Sequence, residues 1–298
     1  MVAVSNPLSL SRIIHGMWRL NDWKMNAGEL NSFVQEAMDM GITTYDHADI
    51  YGNHTCEAFF GDALGDDKTL RNRMQLVTKC GIKLNTNKFP DRKLKYYDYS
   101  AAYIVNQAEQ SLKNLKTDRI DLLLLHRPSP FMDGNEVASA FDHLFESGKV
   151  LHFGVSNFLP IQLESLQSFV KQPLVTNQIE LSPASLEHFK NNNLDYLMQH
   201  RIKPMAWSPL AGGSLLVPRT KKEQRIHQVL KNIAQLNGID KMDKVIYQWL
   251  LMHPACIMPI VGSGNINRLK IAVDAQDCTL SLEQWFEIYI ASQGHDLA

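Results

Sequence analysis

Four residues stand where apolar runs end, and their types suit proton transfer. The run TTYDHA from Thr43 leads into Asp46-His47-Ala48-Asp49-Ile50-Tyr51-Gly52. The run LVTKCG from Leu76 carries Lys79, and DLLLLH from Asp121 ends in His126-Arg127-Pro128. A tyrosine hydroxyl can give up a proton, but its free pKa is about 10. Moving that value two to three units downward takes roughly 3–4 kcal/mol of preference for the phenolate. One cation at about 4 Å, in an effective dielectric of about 20, supplies that much. Lys79 is the candidate cation for Tyr51. A lysine in a dry site tends to lose its charge, so it needs a carboxylate neighbour, and Asp46 fits that need. His126 is then left to orient a substrate oxygen or share the proton.

The elements that must position these side chains recur along the whole chain. Eight short apolar runs read as strands: IIHGMW from Ile13, TTYDHA from Thr43, LVTKCG from Leu76, DLLLLH from Asp121, HFGVSN from His152, LVTNQI from Leu174, KPMAWSP from Lys203 and IMPIVG from Ile257. Several are nearly continuous in apolar character, as strands buried on both faces are. Helical spacing lies between them. Leu30, Phe33, Val34, Ala37 and Met38 form one stripe, with Gly41 as its stop; Ile104, Ala108, Leu112 and Leu115 form another; Val137, Ala140, Phe141 and Leu144 a third. Pro160 is placed to open a further helix. Eight strands alternating with helices in 298 residues predict an α/β fold, a (β/α)8 TIM barrel forming one domain over residues 1–298. Two additions are expected: a long loop after strand three, Gly81 to Ser100, and an extra C-terminal helix from Leu282 to Ile290. In such a barrel, polar residues at strand ends are the place to look for catalysis.

With those residues in place, the chain resembles the aldo-keto reductases. DHADIYG is similar to their D-x-A-x-x-Y-G element, VTKCG to their strand-three lysine segment, LLLLHRP to their strand-four histidine, and GVSNF to their strand-five serine-asparagine pair. The motifs occur in the family's order and cover nearly the whole chain. The resemblance implies an oxidoreductase that passes hydride between NADPH and a carbonyl or alcohol, with Tyr51 as general acid or base and Asp46, Lys79 and His126 as its catalytic partners. It also implies that Ser156, Asn157 and Gln178 grip the nicotinamide amide, and that Trp207 stacks on the nicotinamide ring where the family commonly has tyrosine. Trp18 is assigned to the cofactor and pocket side of the first strand. The alternative from another class is an NADP-binding regulatory subunit of the same fold with little turnover.

No G-x-G-x-x-G or P-loop occurs, so a Rossmann-type cofactor site is not supported. Phosphate sites are instead read from small residues and a helix start. Ser208, Leu210 and Gly212 lie in SPLAGGS, where backbone N–H groups can approach a pyrophosphate. Ser263 precedes a helix whose N-terminus favours anions, and Arg268 adds a fork suited to the adenosine 2′-phosphate. Two positions depart from the family: glycine at 262, where a lysine is frequent, and alanine at 272, where an amide is frequent. The missing lysine weakens cofactor binding or shifts preference from NADP toward NAD.

Composition sets the remaining bounds. With 30 basic and 31 acidic residues, the net charge is −1, which gives no electrostatic case for nucleic acid or a membrane surface. The expected partner is a small-molecule carbonyl or alcohol substrate. Cys56, Cys80, Cys256 and Cys278 are far apart, with no Cys-x-x-Cys pair, so no metal is expected and a reduced, cytoplasmic setting is the simpler reading. The first eighteen residues lack the charged and apolar regions of a signal peptide. His47 and Asp49 read as rim or packing groups, and His15, His54 and His152 as structural or exposed. Trp18, Trp23, the polar loop from Gly81 and a short tail after Gln293 are expected to build an open, permissive pocket. That loop, with its Tyr96-Tyr97-Asp98-Tyr99 cluster, is expected to be a weakly held lid.

Overall fold

The computed structural model describes residues 8–65 and 67–298; the N-terminal reading over residues 1–7 lies outside them. Among these residues ten strands form: β1 (Ile14–Gly16), β2 (Thr44–Asp46), β3 (Gln75–Cys80), β4 (Ile82–Lys83), β5 (Tyr96–Tyr97), β6 (Leu122–Leu125), β7 (Phe153–Ser156), β8 (Leu174–Glu180), β9 (Met205–Trp207) and β10 (Met258–Val261). All eight apolar runs contain a strand. These eight close into a barrel in the order β1-β10-β9-β8-β7-β6-β3-β2, and helices alternate with them. The polar loop departs from expectation: β4 and β5 pair antiparallel inside it, with Ile82 opposite Tyr97 and Lys83 opposite Tyr96.

Contacts group the chain into two compact units, one running to Thr176 and the other Asn177–Ala298. In the first unit, β2, β3 and β6 lie side by side, with Asp46 opposite Val77 and Lys79 opposite Leu124. Their apolar character is explained by burial, since Leu122 to Leu125 are wholly enclosed. The helix Ala27–Asp39 opens on an Asn26–Glu29 capping box and buries Leu30, Phe33, Val34, Ala37 and Met38, the stripe read from the sequence. At the other end of these strands, Arg71 donates to Thr117 Oγ1, Met74 O, Arg119 O and Asp121 Oδ2, while Leu76 N–H donates to the same carboxylate oxygen. This half-buried guanidinium ties the starts of β3 and β6 together, away from the ends that carry Lys79 and His126.

In the second unit, the segment after β9 carries two helices, Lys221–Leu236 and Met242–Leu251. The extra C-terminal helix spans Leu282–Gln293. It starts on a Ser281–Gln284 capping box and stops at Gly294, whose φ is 86°. Trp249 and Trp285 hold it down. Each indole N–H donates to the other residue's carbonyl, at 3.1 and 2.9 Å, and the rings stack 5.0 Å apart.

Candidate active site

Asp46 closes β2, and its carboxylate accepts two bonds from Lys79 Nζ, both 2.8 Å long. The ammonium has two further neighbours: it donates to His47 O at 2.7 Å and meets the Tyr51 hydroxyl at 3.0 Å. Lys79 is fully buried, and Asp46 is only 3% exposed. Tyr51 stands one turn past β2, its N–H bonded to Ala48 O at 3.1 Å, and is half-buried. The buried ammonium thus has partners on every side that matters to its charge. Burial works against Lys79, yet Asp46 and Tyr51 outweigh it and hold its pKa above the ordinary value.

The tyrosine departs from the simple electrostatic expectation. Burial raises the Tyr51 pKa more than Lys79 lowers it, and Asp46 adds to the rise. A cation beside the hydroxyl was expected to win; it does not, because burial of the hydroxyl outweighs it and Asp46 offsets part of its field. Tyr51 is therefore a neutral O–H donor touching an ammonium, rather than a ready phenolate.

His126 follows β6 with its N–H bonded to Cys80 O at 2.9 Å. Its ring stands edge-on to Tyr51, 6.0 Å between centroids, and its buried Nδ1 has no hydrogen-bond partner among the described residues. Burial first, then Lys79, Arg127 and Lys95, push its pKa well below the ordinary value, so the imidazole is neutral.

The two residues read as packing groups are more unusual than that reading. Asp49 is buried, and burial with the nearby Glu57 raises its pKa well above the carboxylate range. His47 packs edge-on against Phe60 at 4.5 Å, with neither ring nitrogen partnered. Burial, then Lys79 and His15, lower its pKa to about 3. The unfolded chain's histidine binds a proton below about pH 6.5, while the folded one does not until about 3. The neutral form's contribution is full above about 6.5 and is lost as pH falls through this window. Urea midpoints should therefore fall between pH 7 and 4.5. His47→Leu is expected to flatten that slope by up to about 1.4 kcal/mol per pH unit. An unchanged slope would mean that the imidazole is solvated in the folded protein. His15 stacks on Trp23 at 5.2 Å, which assigns Trp23 to packing.

The loop from Gly81 is more firmly anchored than its composition suggested. Lys83 pairs with Asp98 at 2.7 Å, and Asp98 N–H bonds Gly81 O at 2.9 Å. Tyr99 is buried, and its hydroxyl bonds the Arg127 backbone. Of the tyrosine cluster, Tyr96 remains exposed, at 42%, and Tyr99 has turned inward. Sequence reading missed Tyr99. The available signal was Gly81 directly after the lysine strand, a position with φ 114° where a side chain would strike the Tyr99 ring at 2.1 Å.

The residues assigned to the cofactor fall in both units. In the first, Ser156 ends β7 fully buried, and Asn157, at φ 62°, donates from Nδ2 to Ser156 Oγ at 2.7 Å. Trp18 is 61% exposed, with Arg19 over its ring. In the second unit, Gln178 is buried on β8, and Trp207 ends β9 half-buried. Ser208, Ala211, Gly212 and Gly213 all take left-handed backbone conformations, with open space above both glycines. The N–H groups of Ala211, Gly213 and Ser214 are already used in local turns, to Ser208, Leu210 and Ala211. Ser263 Oγ accepts from Asn265 N–H, and Asn265 caps the helix Ile266–Asp274. Arg268, in its first turn, is exposed and makes no ion pair among the described residues. Ala272 lies on that helix and is fully buried.

These features have close counterparts elsewhere. The family model described as "Aldo/keto reductase family" matches residues 12–292. The chain belongs to the aldo/keto reductase family. It is 47% identical, over 99% of each chain, to the uncharacterized oxidoreductase YcsN of Bacillus subtilis (strain 168). It is 41% identical to a 6-dehydroglucose reductase of Agrobacterium fabrum (strain C58 / ATCC 33970), covering 100% of this chain and 99% of that one. Its fold matches the crystal structure of an aldo/keto reductase from Klebsiella pneumoniae in complex with NADP and acetate. That match has a TM-score of 0.76 and 24% identity, covering 94% of this chain and 90% of the other. No helix among the described residues is long and apolar enough to cross a membrane.

Proposed function

We propose that this chain, as one (β/α)8 domain, reduces an aldehyde or ketone with NADPH, using Tyr51 as the proton donor. The observation that carries the reading is the buried Asp46–Lys79–Tyr51 chain of contacts, with Lys79 Nζ 3.0 Å from the Tyr51 hydroxyl. When bound, the dinucleotide supplies hydride to the carbonyl carbon. The Tyr51 O–H bond breaks as its proton moves to the carbonyl oxygen, which becomes the alcohol. The phenolate left behind is stabilised by a charge-assisted bond from Lys79 and takes its next proton from solvent. Asp46 keeps Lys79 charged throughout. Neutral His126 can donate one N–H to the carbonyl and so orient it. A raised Tyr51 pKa keeps the hydroxyl protonated near neutral pH, the form that the acid role needs.

The cofactor roles are assigned residue by residue. Ser156, Asn157 and Gln178 take the nicotinamide amide, Trp207 the ring, and Trp18 the pocket side. Ser208, Leu210 and Gly212 take the pyrophosphate, and Ser263 and Arg268 the adenosine 2′-phosphate. The local fit is good where Arg268 is exposed at a helix start, and where open space lies above Gly212. The Klebsiella relative's NADP supports the choice of dinucleotide.

Steady-state NADPH oxidation over a panel of aldehydes and ketones tests the reading. The panel should include sugar aldehydes, given the 6-dehydroglucose reductase relative. NADPH binding without turnover on any of them would favour the regulatory-subunit alternative. Arg268→Ala is expected to weaken NADPH binding by roughly 1.5–3 kcal/mol and NADH binding far less, on the scale of a charge-assisted bond. Fluorescence titration with both cofactors checks this. Equal losses would remove Arg268 from the 2′-phosphate.

A further inference from the structure

Nothing in the ring contacts of His126 fixes its orientation through hydrogen bonding at Nδ1, which is buried and unpartnered. Active-site histidines are commonly aimed by a carboxylate or carbonyl at the second nitrogen. Here the backbone that carries the ring must do more of the aiming. Tyr99 grips that backbone. Its hydroxyl donates to Arg127 O at 2.5 Å and accepts from Arg127 N–H at 3.0 Å, so one side chain satisfies both polar groups of the residue after His126. On the other side, His126 N–H bonds Cys80 O, next to Lys79. The Tyr99 ring lies over Gly81, which follows Cys80 and has no room for a side chain. Asp98, beside Tyr99, is held to the Gly81 carbonyl and to Lys83. The tyrosine is thus braced from the strand that bears Lys79 while it holds the segment that bears His126.

We propose that Tyr99 is a positioning residue for carbonyl reduction, fixing His126 relative to Tyr51 and Lys79 through the Arg127 backbone. The proposal rests on the reading of His126 as the group that orients the carbonyl. Tyr99→Phe keeps the ring over Gly81 and removes both bonds.

The test is a double-mutant cycle of Tyr99→Phe and His126→Ala, measured by kcat and KM at fixed NADPH. Tyr99→Phe alone should lower kcat about tenfold, the scale of a sub-ångström misplacement, with NADPH affinity unchanged. In the His126→Ala background the same change should have an effect of less than about twofold, because there is no ring left to misplace. An equal loss in both backgrounds, or no loss in either, overturns the proposal. If His126→Ala itself leaves kcat intact, the reading of His126 fails, and that outcome is separate. A second measurement covers a variant that folds poorly: the ring ¹⁵N resonances of His126 should shift in Tyr99→Phe at temperatures where it is fully folded. Unchanged resonances there would equally overturn the proposal.

Discussion

Replacing Tyr51 with phenylalanine is expected to lower kcat for carbonyl reduction by about 10²–10⁴, the usual cost of losing a general acid. The substitution removes one oxygen and keeps the ring, so the edge-on packing against His126 survives. Lys79 retains both Asp46 bonds and the His47 carbonyl, so the buried charge remains paired. NADPH affinity should change little, because Tyr51 is assigned to the reacting oxygen and not to the dinucleotide. The loss should appear in kcat and kcat/KM together, as it does when an interaction exists only in the transition state. Stopped-flow and steady-state assays with one aldehyde would measure it. A variant that keeps more than a tenth of the parent kcat would remove Tyr51 from the role.

Lys79→Met is expected to have the largest effect on stability, about 3–5 kcal/mol near pH 7.5, as well as abolishing turnover. Methionine fills a similar volume, so the cost comes from electrostatics rather than from a cavity. Asp46 would be left as a buried carboxylate with its cation gone. Neutralising that carboxylate is the direct check on this account. Adding Asp46→Asn to Lys79→Met should recover part of the loss at pH 7.5. Urea denaturation of the parent and the two variants at pH 7.5 decides the matter. A Lys79→Met variant as stable as the parent at pH 7.5 would mean that the pair is solvated.

Much of this site was legible before any coordinates. The eight strands could be read because strands enclosed on both faces, such as Leu122–Leu125, leave an uninterrupted apolar run. Asp46, Tyr51, Lys79 and His126 could be read because a barrel gathers strand ends, and three of these residues end adjacent strands. What stayed hidden depends on distance in the chain. The β4–β5 ribbon has two residues per strand, too few for any alternation to register. Tyr99 meets Arg127 across 28 residues, and no local pattern announces that contact. The direction of the Tyr51 shift required knowing how deeply the hydroxyl is enclosed and how closely Asp46 cancels Lys79.

The paired indoles of the second unit offer a spectroscopic handle. Trp249 and Trp285 face each other 5.0 Å apart, 11° from parallel, and are locked by reciprocal N–H bonds. Two identical chromophores at that separation couple their strong far-ultraviolet transitions, so the pair should give a paired circular dichroism band that isolated indoles lack. Because Trp285 rides on the C-terminal helix Leu282–Gln293 and Trp249 on the helix Met242–Leu251, the signal vanishes when those two helices part. The protein therefore carries a built-in optical gauge of one local opening, readable during unfolding without any added label.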